Sequence, residues 1–258
     1  MDNISKEFIN ICREISNKGW IKGISTHANS VGLTFENEIN KKPDSKYLPD
    51  FKDIEIKCST RLSRYPIALF TMAFSGPGKN VAQKLAQKYG YHDKQFQDKK
   101  VLYKNISTCV NSLNKYSFIF DFNRRKKIYL KVYDQNGNYL EKKAYISIKA
   151  LKERYNTKLH KIAIIRASKK IIDGIPYYRY YKLNLYKAKS FDIFLFLLKK
   201  GVLKAQIISR ISKSGDKRGL YRDKNIVFSI EKDFINLLFD CYYEYDLDKK
   251  NSKKQAVL

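Results

Sequence analysis

The sequence predicts a mixed α/β protein of the α+β kind, with much antiparallel pairing and two lobes. Three observations predict it. Ile4, Phe8, Ile11 and Ile15 recur at helical spacing; Ile54, Ile56 and Cys58 alternate with Glu55, Lys57 and Ser59; and Asn136-Gly137 and Asp173-Gly174 sit between apolar runs. A helix brings every third or fourth residue to one face and a strand every second. Asn-Gly and Asp-Gly adopt the left-handed backbone that tight hairpins require. With 258 residues, 43% of them hydrophobic, the chain can bury a sizeable core, which excludes wholesale disorder.

The first helix is expected to stop at Gly19, and a second to run from about Ser30 to Ile39, with a polar loop over Lys41 to Lys46. Strands follow at Asp50 to Ser59 and Pro66 to Phe74, then a helix at Lys79 to Tyr89 ended by Gly90. Tyr116 to Asn123, Lys127 to Tyr133 and Leu140 to Ile148 read as antiparallel strands, then Ile148 to Tyr155 as a short helix and Lys158 to Ala167 as a strand. Tyr177, Tyr178, Tyr180 and Tyr181 alternate between core and edge of a further strand. A helix at Ser190 to Lys200, strands at Ala205 to Ser212 and Asn225 to Ile230, and a last helix at Glu231 to Tyr242 complete the chain. The expected organisation is a catalytic lobe over residues 1–100, completed by later segments, a strand-rich lobe over 101–247 and a charged tail over 248–258.

The 52 Lys and Arg against 25 Asp and Glu leave a formal charge of +27. Such an excess repels itself unless a polyanion takes it up, and nucleic acid is the leading partner because cations gain affinity by releasing counterions from phosphates. The cations are spread along the chain and not gathered on one amphipathic helix, which argues against a membrane surface. No apolar run reaches the roughly 18–20 residues of a membrane span, and no secretory segment or CxxC pair is evident, so the expected setting is soluble and cytoplasmic.

One constellation carries chemistry: Pro49-Asp50, four residues, then Glu55-Ile56-Lys57. Glu55 and Lys57 share one face of a strand, and Asp50 stands where the strand begins. Two converging carboxylates make a hard-oxygen place for Mg²⁺, and an amine beside them can hold the attacking water or stabilise charge on a phosphate. That is equipment for metal-assisted phosphodiester hydrolysis. Acid-x-Lys is also common on solvated strand faces, so the motif alone leaves a non-catalytic nucleic-acid-binding protein open.

Around this motif stand Gly19-Trp20-Ile21, then Asn29-Ser30-Val31-Gly32-Leu33-Thr34-Phe35-Glu36, Pro49-Asp50-Phe51, Ile54-Glu55-Ile56-Lys57 and Leu69-Phe70-Thr71. In order and spacing this resembles the MvaI/BcnI family of type II restriction endonucleases, which have the MutH-like variant of the PD-(D/E)XK fold. The resemblance is densest over residues 19–71 and resumes at 158–170 and 225–239. It implies a mixed sheet flanked by helices with a second, DNA-recognition lobe. It also implies Mg²⁺-dependent hydrolysis of double-stranded DNA at a short specific sequence, with Mn²⁺ able to substitute, and 5′-phosphate ends. By the same resemblance Asp50 and Glu55 become metal ligands together with the Ile56 carbonyl, Lys57 positions water, and Glu36 completes the site from its helix. A monomer acting beside a companion methyltransferase is also implied. The chain departs from the family at Phe35, where the family has Leu, and at Lys224 to Ile230, which lacks the family's His and Arg. The usual target sequences are therefore not carried over, and a MutH-type strand-nicking enzyme is the alternative within the class.

Arginine reads guanine because its fork matches O6 and N7 in the major groove. The loop over residues 209–224, with Arg210, Lys217, Arg218, Arg222 and Lys224, is the candidate DNA-binding element, joined by Lys79 in the Ser75 to Lys79 turn. Plain phosphate contact would use the same residue types.

Overall fold

The computed structural model describes residues 1–41, 48–60, 65–222 and 225–247. In chain order the elements are α1 (Asn3–Asn17), β1 (Ile21–Lys22), α2 (Ser30–Glu38), β2 (Ile54–Thr60), β3 (Ile67–Met72), α3 (Val81–Tyr89), β4 (Tyr91–His92), β5 (Lys100–Ser107), β6 (Tyr116–Arg124), β7 (Lys127–Asp134), β8 (Tyr139–Glu141), β9 (Tyr145–Ser147) and α4 (Ile148–Leu159). There follow β10 (Lys161–Ile172), β11 (Ile175–Ala188), α5 (Phe191–Lys199), β12 (Leu203–Ser209), β13 (Asn225–Ile230), a 3-10 turn (Lys232–Phe234), α6 (Ile235–Leu238) and β14 (Phe239–Asp246). Among the described residues no helix is long and apolar enough to cross a membrane.

The chain forms two compact units, but not at the expected division of 1–100 from 101–247. One unit comprises Met1–Tyr65, Tyr155–Lys189 and Ile235–Leu258, of which the described part ends at Leu247; the other comprises Pro66–Arg154 and Ser190–Phe234. The cause is strand pairing. β10 lies parallel to β2, with Ile162 opposite Glu55 and Ile164 opposite Lys57. Parallel neighbours need a crossover connection, and here the crossover is the whole excursion from Pro66 to Arg154. The expected tail, 248–258, lies outside the described residues.

In the first unit the sheet runs β1-β11-β10-β2, with β14 pairing the far half of β11. α1 starts on Asp2, whose carboxylate accepts from the Ser5 amide at 2.9 Å, a cap that satisfies an otherwise orphaned donor. Its stripe of Phe8, Ile9, Cys12 and Ile15 is buried together with Val31 and Phe35 of α2 and Ile54 and Ile56 of β2. Tyr180 of β11 is fully buried in the same core, and its hydroxyl donates to the Val31 carbonyl at 2.8 Å. The tyrosine run thus alternates as expected, with Tyr178 and Tyr180 inward.

The expected last helix, Glu231 to Tyr242, is only one turn of helix, and residues from Phe239 form β14. Phe239, Tyr243 and Tyr245 are buried while Asp240 and Glu244 are exposed, and the strand takes up hydrogen-bonding groups of β11 that would otherwise be unpaired. The stretch expected as one strand, Leu140 to Ile148, is broken into β8 and β9, both on β7. α4 runs on to Leu159, and β5, which the sequence pattern did not suggest, pairs β12.

The second unit is built on a sheet ordered β3-β13-β12-β5-β6-β7-β8. Phe70, Phe194 and Phe228 form its aromatic centre, with ring centroids 5.0–5.8 Å apart. Asp121 of β6 is 6% exposed and paired with Lys142 and, at 3.3 Å, with Lys131. Burial alone would raise its carboxyl, but the hydrogen bonds from Lys142, the Asn123 amide and Lys131 outweigh burial and hold it at about 2. A depressed carboxyl stabilises the fold above its unfolded value and loses that contribution as pH falls towards its folded value. Asp121→Asn is therefore expected to cost on the order of 2 kcal/mol at neutral pH, with the gap to wild type closing below about pH 4. Urea midpoints at neutral and acid pH measure this; an unchanged gap at both would show that the pairing carries no linked stability.

Candidate active site

The expected acid pair and lysine come together, and local backbone explains how. Phe51 and Ile54 exchange hydrogen bonds at 2.9 and 2.7 Å, with Lys52 left-handed at φ 49°. This tight turn folds Asp50 back along β2, so that its Oδ2 accepts from the Ile56 amide at 2.9 Å. The four-residue spacing from Asp50 to Glu55 is the length this turn needs. β2 is the edge strand of its sheet. In extended backbone the N–H and C=O of one residue point to the same side, so the Ile56 carbonyl shares the open edge with Asp50.

Glu55 is only 4% exposed. It does not belong to a solvated face, because its two oxygens accept from Lys57 at 2.6 Å and from Lys158 at 2.8 Å. Lys158 also donates to the Leu48 carbonyl at 2.6 Å. Asp50 is paired with Lys41. Burial pushes the Asp50 carboxyl up, but Lys41, the Ile56 amide and the charge of Lys57 together hold it below its ordinary value. Glu36, on α2, makes no side-chain hydrogen bond or ion pair among the described residues, yet it feels the site. Burial first, then the negative charge of Asp50, raise its carboxyl, while Lys41 and Lys57 pull the other way. Buried carboxylates ringed by amines are costly to desolvate and are weak devices for stability; such perturbed clusters concentrate at functional sites.

Lys41 and Lys158 were not anticipated as site residues. Lys41 arrives because Asn40 takes the left-handed conformation (φ 56°) and the Lys41 amide returns to the Glu36 carbonyl at 2.9 Å, the helix-ending geometry that Asn tolerates. Lys158 arrives through the pairing of β10 with β2, and no local spacing announces it.

Among the described residues no three His, Cys, Asp or Glu side chains gather as a metal cage. The oxygen donors available are the Asp50 and Glu55 carboxylates, now held by Lys41, the Ile56 amide, Lys57 and Lys158, and the Ile56 carbonyl. Hard oxygens of this kind suit Mg²⁺, which keeps several waters and is bound by one or two carboxylates plus substrate phosphate.

The DNA-binding candidates all fall in the other unit. Arg210 and Arg222 flank a ribbon in which the Arg222 amide donates to the Arg210 carbonyl at 2.6 Å and Ile211 bridges Tyr221. Lys217 and Arg218 lie exposed near its tip, and Arg218 sits over the Phe96 ring at 5.7 Å. Lys79 is exposed in a turn held against Tyr145, whose carbonyl accepts from the Ser75 amide at 2.8 Å. Lys224 lies outside the described residues.

A mixed sheet flanked by helices, with Glu55 and Lys57 on its edge strand and Asp50 in the turn before it, carries the acid-pair-and-lysine pattern of the PD-(D/E)XK type of endonuclease. The sequence profile of the MvaI/BcnI restriction endonuclease family matches residues 9–239, and the chain belongs to that family, as a type II site-specific deoxyribonuclease. Among solved structures it is similar to restriction endonuclease MvaI in complex with its cognate DNA substrate, with a TM-score of 0.85 and 24% identity, over 96% of this chain and 99% of that one. It is also similar to MvaI in the absence of DNA, with a TM-score of 0.56 and 22% identity, over 93% and 97% of the two chains. No curated protein matches the sequence.

Proposed function

We propose that the enzyme hydrolyses phosphodiester bonds of double-stranded DNA with Mg²⁺, or Mn²⁺ in its place, held by Asp50, Glu55 and the Ile56 carbonyl, and leaves 5′-phosphate ends. The observation that carries this reading is the folding of Asp50 onto the Ile56 amide beside the buried Glu55. Asp50 and the Ile56 carbonyl then share the open strand edge, with Glu55 the adjoining residue of the same strand. A divalent cation bound there supplies positive charge against the charge that develops on the phosphate. Lys57, held by Glu55 at 2.6 Å, keeps its ammonium beside the reacting phosphate, where it orients water and stabilises the same charge. Water attacks phosphorus in line and gives up a proton, the bond to the 3′ oxygen breaks, and that oxygen takes a proton from solvent to leave as a hydroxyl. Glu36 lies within electrostatic reach of Asp50 and Lys57 and is suited to hold a proton or orient water. Lys158 keeps Glu55 in place from its second oxygen.

Membership of the family favours a monomer that cuts the strands in turn, with a companion methyltransferase that would protect host DNA. The test is digestion of unmethylated phage DNA in millimolar Mg²⁺, beside an EDTA control and the Asp50→Ala protein. Discrete fragments from wild type with Mg²⁺ alone are expected, with 5′-phosphate at the sequenced ends. Cleavage by Asp50→Ala at the wild-type rate would remove Asp50 from the chemistry. No cleavage by either protein, while both retard DNA in a gel, would overturn the whole reading.

A further inference from the structure

We propose that the β6–β7 hairpin tip is a clamp for the phosphate backbone of duplex DNA, separate from the Arg210 to Arg222 ribbon. Arg124, Arg125, Lys126 and Lys127 follow one another at the tip, while Lys131 and Lys142 are already paired with Asp121. Arg124, Arg125, Lys126, Lys127 and Lys142 line an open depression of about 640 Å³, floored by Tyr129. Arg124, Arg125 and Lys126 are exposed and make no ion pair among the described residues. Like charges gathered at one tight turn oppose folding, so their placement asks for a partner that supplies anions.

The surroundings support a rigid platform. Lys127 and Lys142 lay their ammonium groups on the Tyr145 and Tyr129 rings, at 4.1 and 4.9 Å. Those two rings sit 5.6 Å apart on paired strands, Tyr129 on β7 opposite Tyr145 on β9. The Lys126 carbonyl accepts from the Ile148 amide at 3.1 Å, tying the tip to the start of α4. Tyr145 in turn exchanges backbone hydrogen bonds with the Ser75 to Gly76 turn that leads to Lys79. A Cβ at Gly76 would stand 2.7 Å from the Tyr145 ring, so only glycine allows that approach. Cations on lysine stems and a pair of adjacent guanidiniums, spread over a ribbon tip, match a row of phosphates better than one base edge.

This inference rests on duplex DNA being the substrate, but its test does not depend on cleavage. Binding of the intact protein to a fluorescent random-sequence duplex in EDTA is measured across a salt series. Arg124→Ala/Arg125→Ala/Lys126→Ala should lower the slope of log K against log salt by about 1 per lost phosphate contact, roughly 2–3 in all, and weaken binding roughly 10- to 100-fold at moderate salt. Arg124→Lys/Arg125→Lys should keep the wild-type slope, because the charge remains. A slope equal to wild type in the triple variant overturns the clamp, whether affinity is retained or lost. Should wild type fail to cleave with Mg²⁺ while the slope still drops, the hydrolytic reading falls and the clamp stands.

Discussion

Glu55→Gln is expected to abolish cleavage, with kcat falling roughly 10³-fold or more, while binding to DNA in EDTA stays within a few fold. The substitution keeps the shape of the side chain and removes its charge at the most buried acid of the site, 4% exposed. Both carboxylate oxygens are in use, one by Lys57 and one by Lys158. An amide can accept from only one of these lysines through its oxygen and presents a donor to the other. The variant therefore loses a cation ligand and the anchor that keeps Lys57 beside the phosphate. Single-turnover cleavage with saturating protein isolates the chemical step from binding. Retention of the rate within tenfold would show that Glu55 is a structural ion-pair partner and that the chemistry lies elsewhere.

Phe35→Ala should cost about 3–5 kcal/mol of stability, the largest structural loss expected from one substitution near the site. Phe35 is fully buried on α2, edge-on to Tyr180 at 5.1 Å and to Phe8 at 6.4 Å. Truncation leaves a void between two helices and the sheet that these rings cannot collapse to fill, because Tyr180 is tethered through its hydroxyl to Val31. The next residue is Glu36, so loosening α2 also releases the carboxylate that senses Asp50 and Lys57. Urea unfolding of both proteins checks this: the midpoint should fall with an unchanged slope. A loss under about 1 kcal/mol would mean that α2 is held by something other than its aromatic seat.

Helix α1, helix α2 and the motif from Asp50 to Lys57 were legible because each depends on residues a few positions apart. The stripe from Phe8 to Ile15, the stop at Gly19 and the alternation from Ile54 to Ser59 are set by backbone period and capping, which act locally. Glu231 to Tyr242 misled for the same reason. Ile235, Leu238 and Phe239 suit a helical face, while Phe239, Tyr243 and Tyr245 suit a strand, and the β11 edge decided between them.

Lys158 reaches Glu55, and Tyr155–Lys189 joins the first unit, only because β10 took the place beside β2. The composition announced a polyanion partner and the spacing announced a carboxylate pair. Which amines would neutralise that pair was a matter of tertiary pairing. Periodicity and caps are written in neighbouring residues; a strand's partner, and the ion pairs that follow from it, are settled by competition among distant segments for the same open edge.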